Sequence, residues 1–159
     1  MQFMHYDAVI GGSEAMHAGM NEGSICWASK VQRDLKKSGM RPTRQRLLLA
    51  SLLFRTGDRH VTAEQLHQEA ECLGISISLA TVYNTLNQFT EAGLLRLIAV
   101  EASKGYFDTN TSDHHHFFIE EENRLVDIPD GLTVLNVPVP PPGTEITNID
   151  VMVRIRRNR

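Results

Sequence analysis

The feature that most limits the fold is a change of period near residue 94. Between Pro42 and Gly93 apolar residues recur every three or four positions, and beyond Gly93 they alternate. The run Leu47, Leu48, Leu49, Leu52, Leu53 and Phe54 marks one helix, which Thr43 can cap and which ends before Gly57. Thr62 opens another, with Gln65 at capping-box spacing, through Ala63, Leu66, Ala70 and Leu73 to Gly74. Ser78 starts a third, through Thr81, Val82, Leu86 and Phe89 to Gly93. A shorter helix over roughly 30–38 precedes them, stopped by Gly39 and the Arg41-Pro42 pair.

The alternating part reads first as a hairpin: strand Leu94–Val100, turn Glu101–Gly105, returning strand Tyr106–Asn110. Helices followed by a hairpin make a winged helix-turn-helix, with residues 79–92 as its recognition helix. A second unit follows. Strands are expected at His114–Ile119 and Arg124–Ile128 around the acidic turn Glu120-Glu121-Glu122-Asn123, and at Leu132–Val137 before Pro138 and the Pro140-Pro141-Pro142-Gly143 break. Ile149, Val151, Val153 and Ile155 alternate with polar or charged neighbours and Met152 as the last strand. A unit of roughly 45 residues buries little core alone. Pairing with a second copy supplies the missing burial, so a homodimer is expected.

A net charge of −3 conceals a segregated distribution. Residues 30–60 carry nine bases (Lys30, Arg33, Lys36, Lys37, Arg41, Arg44, Arg46, Arg55, Arg59) against Asp34 and Asp58, whereas 61–150 are strongly acidic. A block this basic suits a polyanion, the alternative being a solvated charged face. No apolar run approaches a membrane span, and the N-terminus lacks the basic-then-apolar order of a secretion signal, so the expectation is a cytoplasmic protein with no membrane partner. Cys26 and Cys72 are the only cysteines; without a C-x-x-C there is no disulfide framework and no Cys-based structural zinc. Cys72, in an apolar helix, reads as a small core residue.

Two constellations carry chemistry. Ser78, Thr81, Tyr83, Asn84 and Asn87 put short hydroxyl, amide and aromatic groups on the recognition helix, which suits base edges in a major groove. Arg41, Thr43, Arg44 and Arg46 would grip phosphates at the start of the preceding helix. The partner so implied is double-stranded DNA. The second constellation is His114-His115-His116. In a strand two of the three share a side, half a metal site, and Asp108, Asp113 and Asp127 are the acids at hand, with His60 farther off. Metal or haem ligation is the reading, against an exposed polar strand. Cys26, beside Trp27 in the arm at 1–29, is a further candidate thiolate for haem iron, though no proline follows it.

Three segments, Gly39-Met40-Arg41-Pro42-Thr43-Arg44-Gln45-Arg46, His60-Val61-Thr62-Ala63-Glu64 and Leu79-Ala80-Thr81-Val82-Tyr83-Asn84-Thr85-Leu86, resemble the ferric uptake regulator family in order and spacing. Tyr106-Phe107-Asp108-Thr109-Asn110 leading to the histidines looks most like its iron response regulator (Irr) branch of alphaproteobacteria. Residues 1–29, rich in Gly, Met and Ser without sustained periodicity, read as a mobile arm. From about residue 30 the resemblance implies an α+β fold, with an N-terminal winged helix-turn-helix over 30–111 and a small C-terminal α/β dimerisation domain with metal or haem sensing over 112–159. It maps a sensory metal site onto His60, Asp108, two of His114, His115 and His116, and Asp127. Haem would be taken by His114, His115 or His116, and a divalent Fe, Mn or Zn by the whole set.

Two departures stand out. Ile119 and Glu122 occupy the places of a structural C-x-x-C zinc motif, and the proline-rich 138–143 segment replaces or truncates the dimerisation domain's helix. The function implied is a non-enzymatic transcriptional regulator of iron and haem homeostasis. It binds operator DNA as a dimer under low iron and answers to haem or divalent metal. A peroxide-sensing metalloregulator is the alternative, because Asp108 and Asp127 resemble that branch's site; a zinc hydrolase is the alternative of another class.

Overall fold

A computed structural model of the chain describes residues 29, 32–101, 104–129 and 132–158. The arm at 1–29 and the candidate Cys26 therefore lie outside the described residues, Ser29 excepted. Helix α1 covers 32–37, followed by α2 (Arg44–Phe54), strand β1 (His60–Val61), α3 (Ala63–Cys72) and α4 (Leu79–Glu91). Strands β2 (Arg96–Glu101), β3 (Lys104–Asp108), β4 (His116–Ile119), β5 (Arg124–Asp127) and β6 (Met152–Ile155) complete the order.

Local chemistry sets the helix ends. Thr43, Thr62 and Ser78 each sit in extended backbone and accept the N–H three residues on, and Thr62 with Gln65 forms both bonds of a capping box. Gly74 and Gly93 follow α3 and α4 at φ +72 and +70, a left-handed stop that a side chain would strain. Apolar stripes of the helices (Leu49, Leu52 and Leu53; Leu66 and Ala70; Val82, Leu86 and Phe89) pack into one core with Leu35, Val61 and Phe107.

The strands form two three-stranded sheets, ordered β1-β3-β2 and β5-β4-β6. All pairs are antiparallel except β4 with β6, which is parallel. Alternation gives the first sheet two jobs. Val61 and Phe107, register partners, face the helices. Ile98, Val100 and Tyr106 face the other way and build a second core with Phe118, Leu125 and Met152 of the second sheet. Arg154 roofs this core, its guanidinium 5.3 Å from the Phe118 ring centre and bonded to the Val100 carbonyl.

The structure corrects several expectations. Residues 132–137 form no strand, although their apolar alternation suggested one. Asn136 takes φ +58, which breaks extended backbone there. Cys72 is exposed rather than core, because it falls off the stripe Ala63, Leu66, Ala70. The two-residue strand β1 was not anticipated, and the strand limits shift: β2 starts at Arg96, β4 at His116 and β6 at Met152.

Candidate metal centre

Two cross-strand pairs meet where the sheets abut. In the first sheet His60 stands opposite Asp108, and in the second His116 stands opposite Asp127. Directly opposed residues share a face, so each pair puts an imidazole beside a carboxylate. His114, two residues before His116 and on the same side by alternation, closes the ring from the connecting segment.

The five donor atoms, His60 Nε2, Asp108 Oδ2, His114 Nε2, His116 Nε2 and Asp127 Oδ1, all lie within 4.8 Å of one another. Asp108 Oδ2 is 3.0 Å from His114 and 3.5 Å from both His60 and His116. Asp127 Oδ1 is 3.0 Å from His60, 3.4 Å from His114 and 3.8 Å from His116. Donors held at about 2.1 Å from one centre and about 90–130° apart are separated by about 3.0–3.8 Å, so these spacings match the edges of a coordination shell. All five atoms are buried and lack a hydrogen-bond partner. Buried polar atoms are normally satisfied, and five orphans converging on one point call for a cation. Three imidazoles and two carboxylates form a borderline donor set, suited to Fe²⁺, Mn²⁺ or Zn²⁺.

Burial works to raise the Asp108 carboxyl's pKa, but the nearby His116 and His60 imidazoles and the Asn110 N–H, which Oδ1 accepts, outweigh it and hold the group below the usual carboxylate range. The remaining ring nitrogen of His114, Nδ1, lies 2.8 Å from the Ser112 carbonyl, which fixes Nε2 as the free lone pair.

His115 is not part of this set. It turns to the opposite side, where its Nδ1 accepts the Val151 N–H at 3.4 Å, so the three consecutive histidines do not converge on one metal or haem iron. Asp113 is exposed and also lies outside the cluster. A hydrolytic zinc needs an open position beside three ligands, whereas here five donors close on the centre.

On the helices, Ser78, Thr81, Asn84 and Asn87 follow one another at threefold spacing along α4, opposite the buried Val82, Leu86 and Phe89. Arg41, Thr43 and Arg44 are exposed. Arg46 is otherwise engaged: its Nη2 and Nε donate to Gln88 Oε1 of α4 at 2.8 and 3.2 Å, and its Nη1 to the Arg41 carbonyl at 2.8 Å. It braces α2 against α4 and is not a free phosphate clamp. Tyr83 points to α3, donating to Glu64 Oε1 at 2.5 Å. That bond lowers the Glu64 pKa and raises that of the phenol. Neither tie could be read from local sequence, since the partners lie 42 and 19 positions apart.

Four helices, a hairpin wing and a second sheet joined through a three-histidine, two-carboxylate cage define a winged-helix fold built around a candidate metal centre. The chain belongs to the ferric uptake regulator family, whose family profile matches residues 37–133. Members of that family are DNA-binding regulators, not enzymes. The ferric uptake regulation protein of Shigella flexneri is 42% identical over 82 residues, 52% of this chain and 55% of that one. The chain thus spans about half the length of the curated relatives it matches.

Among solved structures, the ferric uptake regulator of Pseudomonas aeruginosa with manganese matches with a TM-score of 0.61 at 21% identity, covering 81% of this chain and 98% of that one. That of Vibrio cholerae matches at 0.64 and 24% identity, covering 79% and 98%. At those identities the likeness is one of fold. Neither the family match nor these relatives single out the iron response regulator branch. Among the described residues no helix is long and apolar enough to cross a membrane.

Proposed function

We propose that this protein is a metal-responsive transcriptional regulator. A winged helix over 30–111 reads operator DNA, a unit over 112–159 pairs with a second copy, and the cage joins the two. The observation that carries this reading is the set of five buried, unpartnered donors drawn from both sheets. His60 and Asp108 belong to the wing sheet and His116 and Asp127 to the second sheet, with His114 on the segment between. A bound divalent ion supplies the positive charge that two adjacent carboxylates lack and ties both sheets to one point. With that tie the residues fix the angle between the reading helix and the dimer contact, and so the spacing of two α4 helices on a duplex. Moving such an equilibrium from 1:99 to 99:1 takes about 5.5 kcal/mol of differential binding, which loss or gain of two or three ligands from one side readily supplies.

On DNA, Thr81, Asn84 and Asn87 face base edges while Arg41, Thr43 and Arg44 meet phosphates. Arg46 and Tyr83 hold the helices that present them. The likeness of the Tyr106–Asn110 segment and the histidine run to the Irr branch extends the proposal to iron and haem homeostasis, with operator DNA bound under low iron in the cytoplasm. A bare ion is favoured over haem at His114 and His116. Their Nε2 atoms lie 3.0–3.8 Å from two carboxylate oxygens, with no slot for a flat macrocycle between. The two aspartates also keep a peroxide-sensing reading in play, in which iron and peroxide would add oxygen to a cage histidine.

The test is titration of Mn²⁺, Fe²⁺, Zn²⁺ or haemin into the protein with operator affinity as readout. A divalent ion is expected to change that affinity, and a His114→Ala, His116→Ala double variant to lose the change. A wild type indifferent to every ion, or a double variant with the full response, would refute the proposal.

A further inference from the structure

One side chain beside the cage has no part in the sensing reading above. Arg96 opens β2 and stands opposite Asp108, extending the His60–Asp108 row across the wing sheet. Its Nη1 donates to the Ser112 carbonyl, the same carbonyl that lies 2.8 Å from His114 Nδ1. A carbonyl oxygen has two lone pairs, so it serves both donors. The other arm of the guanidinium, Nη2, donates to Asp150 Oδ1 at 2.8 Å, and Asp150 Oδ2 accepts Asn148 Nδ2 at 2.9 Å.

Asp150 stands at the entry to β6. One residue on, the Val151 carbonyl accepts the His116 N–H at 3.1 Å, and the Val151 N–H meets His115 Nδ1. The start of the C-terminal strand is therefore tied to all three histidines: to His114 through Ser112 and Arg96, and to His115 and His116 through Val151. Arg96 is the only one of these ties that reaches back to the wing sheet. Its flat fork spans two acceptors at once, which a lysine ammonium on a single stem does not. The Arg96–Asp150 bond is partly exposed, at 17% and 63%, so its worth lies in geometry rather than in energy of its own.

We propose that Arg96 is a positioning residue that couples ion binding to docking of β6. One half of its fork fixes the tautomer and orientation of His114, and the other holds the start of the C-terminal strand. The proposal rests on the metal reading of the cage. Coupling of this kind is reciprocal: ion uptake tightens β6, and a docked β6 tightens the ion.

The test uses the full chain and Zn²⁺ alone, with affinity measured by competition against a chelating dye and amide hydrogen exchange followed at residues 152–155. In the wild type zinc is expected to slow that exchange. Arg96→Ala should bind zinc about tenfold or more weakly and lose the zinc-dependent protection of β6. Asp150→Ala, at an exposed side chain that carries no core packing, should lose the protection while its affinity falls by less than that of Arg96→Ala. This split does not arise from a general loss of stability, and it keeps the test open if Arg96→Ala loosens the fold. Unchanged zinc affinity in Arg96→Ala, or equal protection in wild type and Asp150→Ala, would overturn the coupling alone. A wild type that takes up no zinc would overturn the coupling and the metal reading together.

Discussion

Replacing His60 by alanine tests whether the cage truly spans the two sheets. His60 is the donor that β1 contributes, 3.0 Å from Asp127 Oδ1 across the junction and 3.5 Å from Asp108 Oδ2 beside it. Losing one of five inner ligands should cost more than the 10–100-fold typical of an outer-shell residue, so we take about 100-fold as a lower bound. At an ion concentration of about 100 times the wild-type Kd, binding stabilises the wild type by about 2.7 kcal/mol; the variant, with Kd near that concentration, gains about 0.4 kcal/mol. For a chain of this size each kcal/mol moves Tm by about 2–4 °C. Adding Mn²⁺ or Zn²⁺ should therefore raise the wild-type melting point by about 5–11 °C and that of His60→Ala by about 1–2 °C. Because the comparison is between the same protein with and without ion, any cavity left by the missing ring cancels. A variant that keeps the full shift would show that the second sheet and its loop hold the ion unaided, and the idea of a tie across the junction would fail.

Arg44→Ala and Arg46→Ala should part company in two assays. Arg44, exposed on α2, is expected to lower the salt dependence of DNA binding by about one unit of log–log slope without altering stability. Arg46→Ala should instead cost about 1–3 kcal/mol in urea unfolding, since it strips charged donors from Gln88 and the Arg41 carbonyl. The Tyr83–Glu64 bond gives a pH signature at both ends. Glu64, lowered by the phenol, adds stability present above its ordinary value of 4.5 and lost as pH falls through its folded value. Tyr83, raised by Glu64, adds stability present below its ordinary value of 10.0 and lost as pH rises through its folded value. Ultraviolet titration should find Tyr83 and the buried Tyr106 both ionising late, and Tyr83→Phe should remove one of the two and flatten both limbs of the stability profile.

Much of the helical half was written in local chemistry. Thr62 with Gln65, Ser78 before an apolar stripe, and Gly74 and Gly93 just past the helix ends are short-range signals, and the chain obeys them. Strand β1 escaped because two residues carry no period; only its pairing with β3 creates it. Residues 132–137 misled for the opposite reason: alternation reports a liking for extended backbone, not whether the segment pairs with a neighbour, and the left-handed Asn136 interrupts it. The cage was reachable in part. The residues alone singled out the histidine run with Asp108, Asp113, Asp127 and the more distant His60 as partners, and family likeness narrowed the partners to His60, Asp108 and Asp127. The choice among three adjacent histidines needed the register His116↔Asp127, which sets His114 and His116 inward and His115 away. The role of Arg46 could not be guessed from charge, because its acceptor lies on another helix.

The acidic bend between β4 and β5 has an effect far from its own position. Glu120 and Glu122 are bonded to Arg156 and Arg157, so the tail's positive charge is spent on a neighbour within the same sheet. Arg41 and Arg44, exposed at the start of α2, have no such carboxylate ion pair among the described residues. On the proposed function, an approaching polyanion would therefore meet an unneutralised charge first at that end of the molecule, which would turn it before any base is touched.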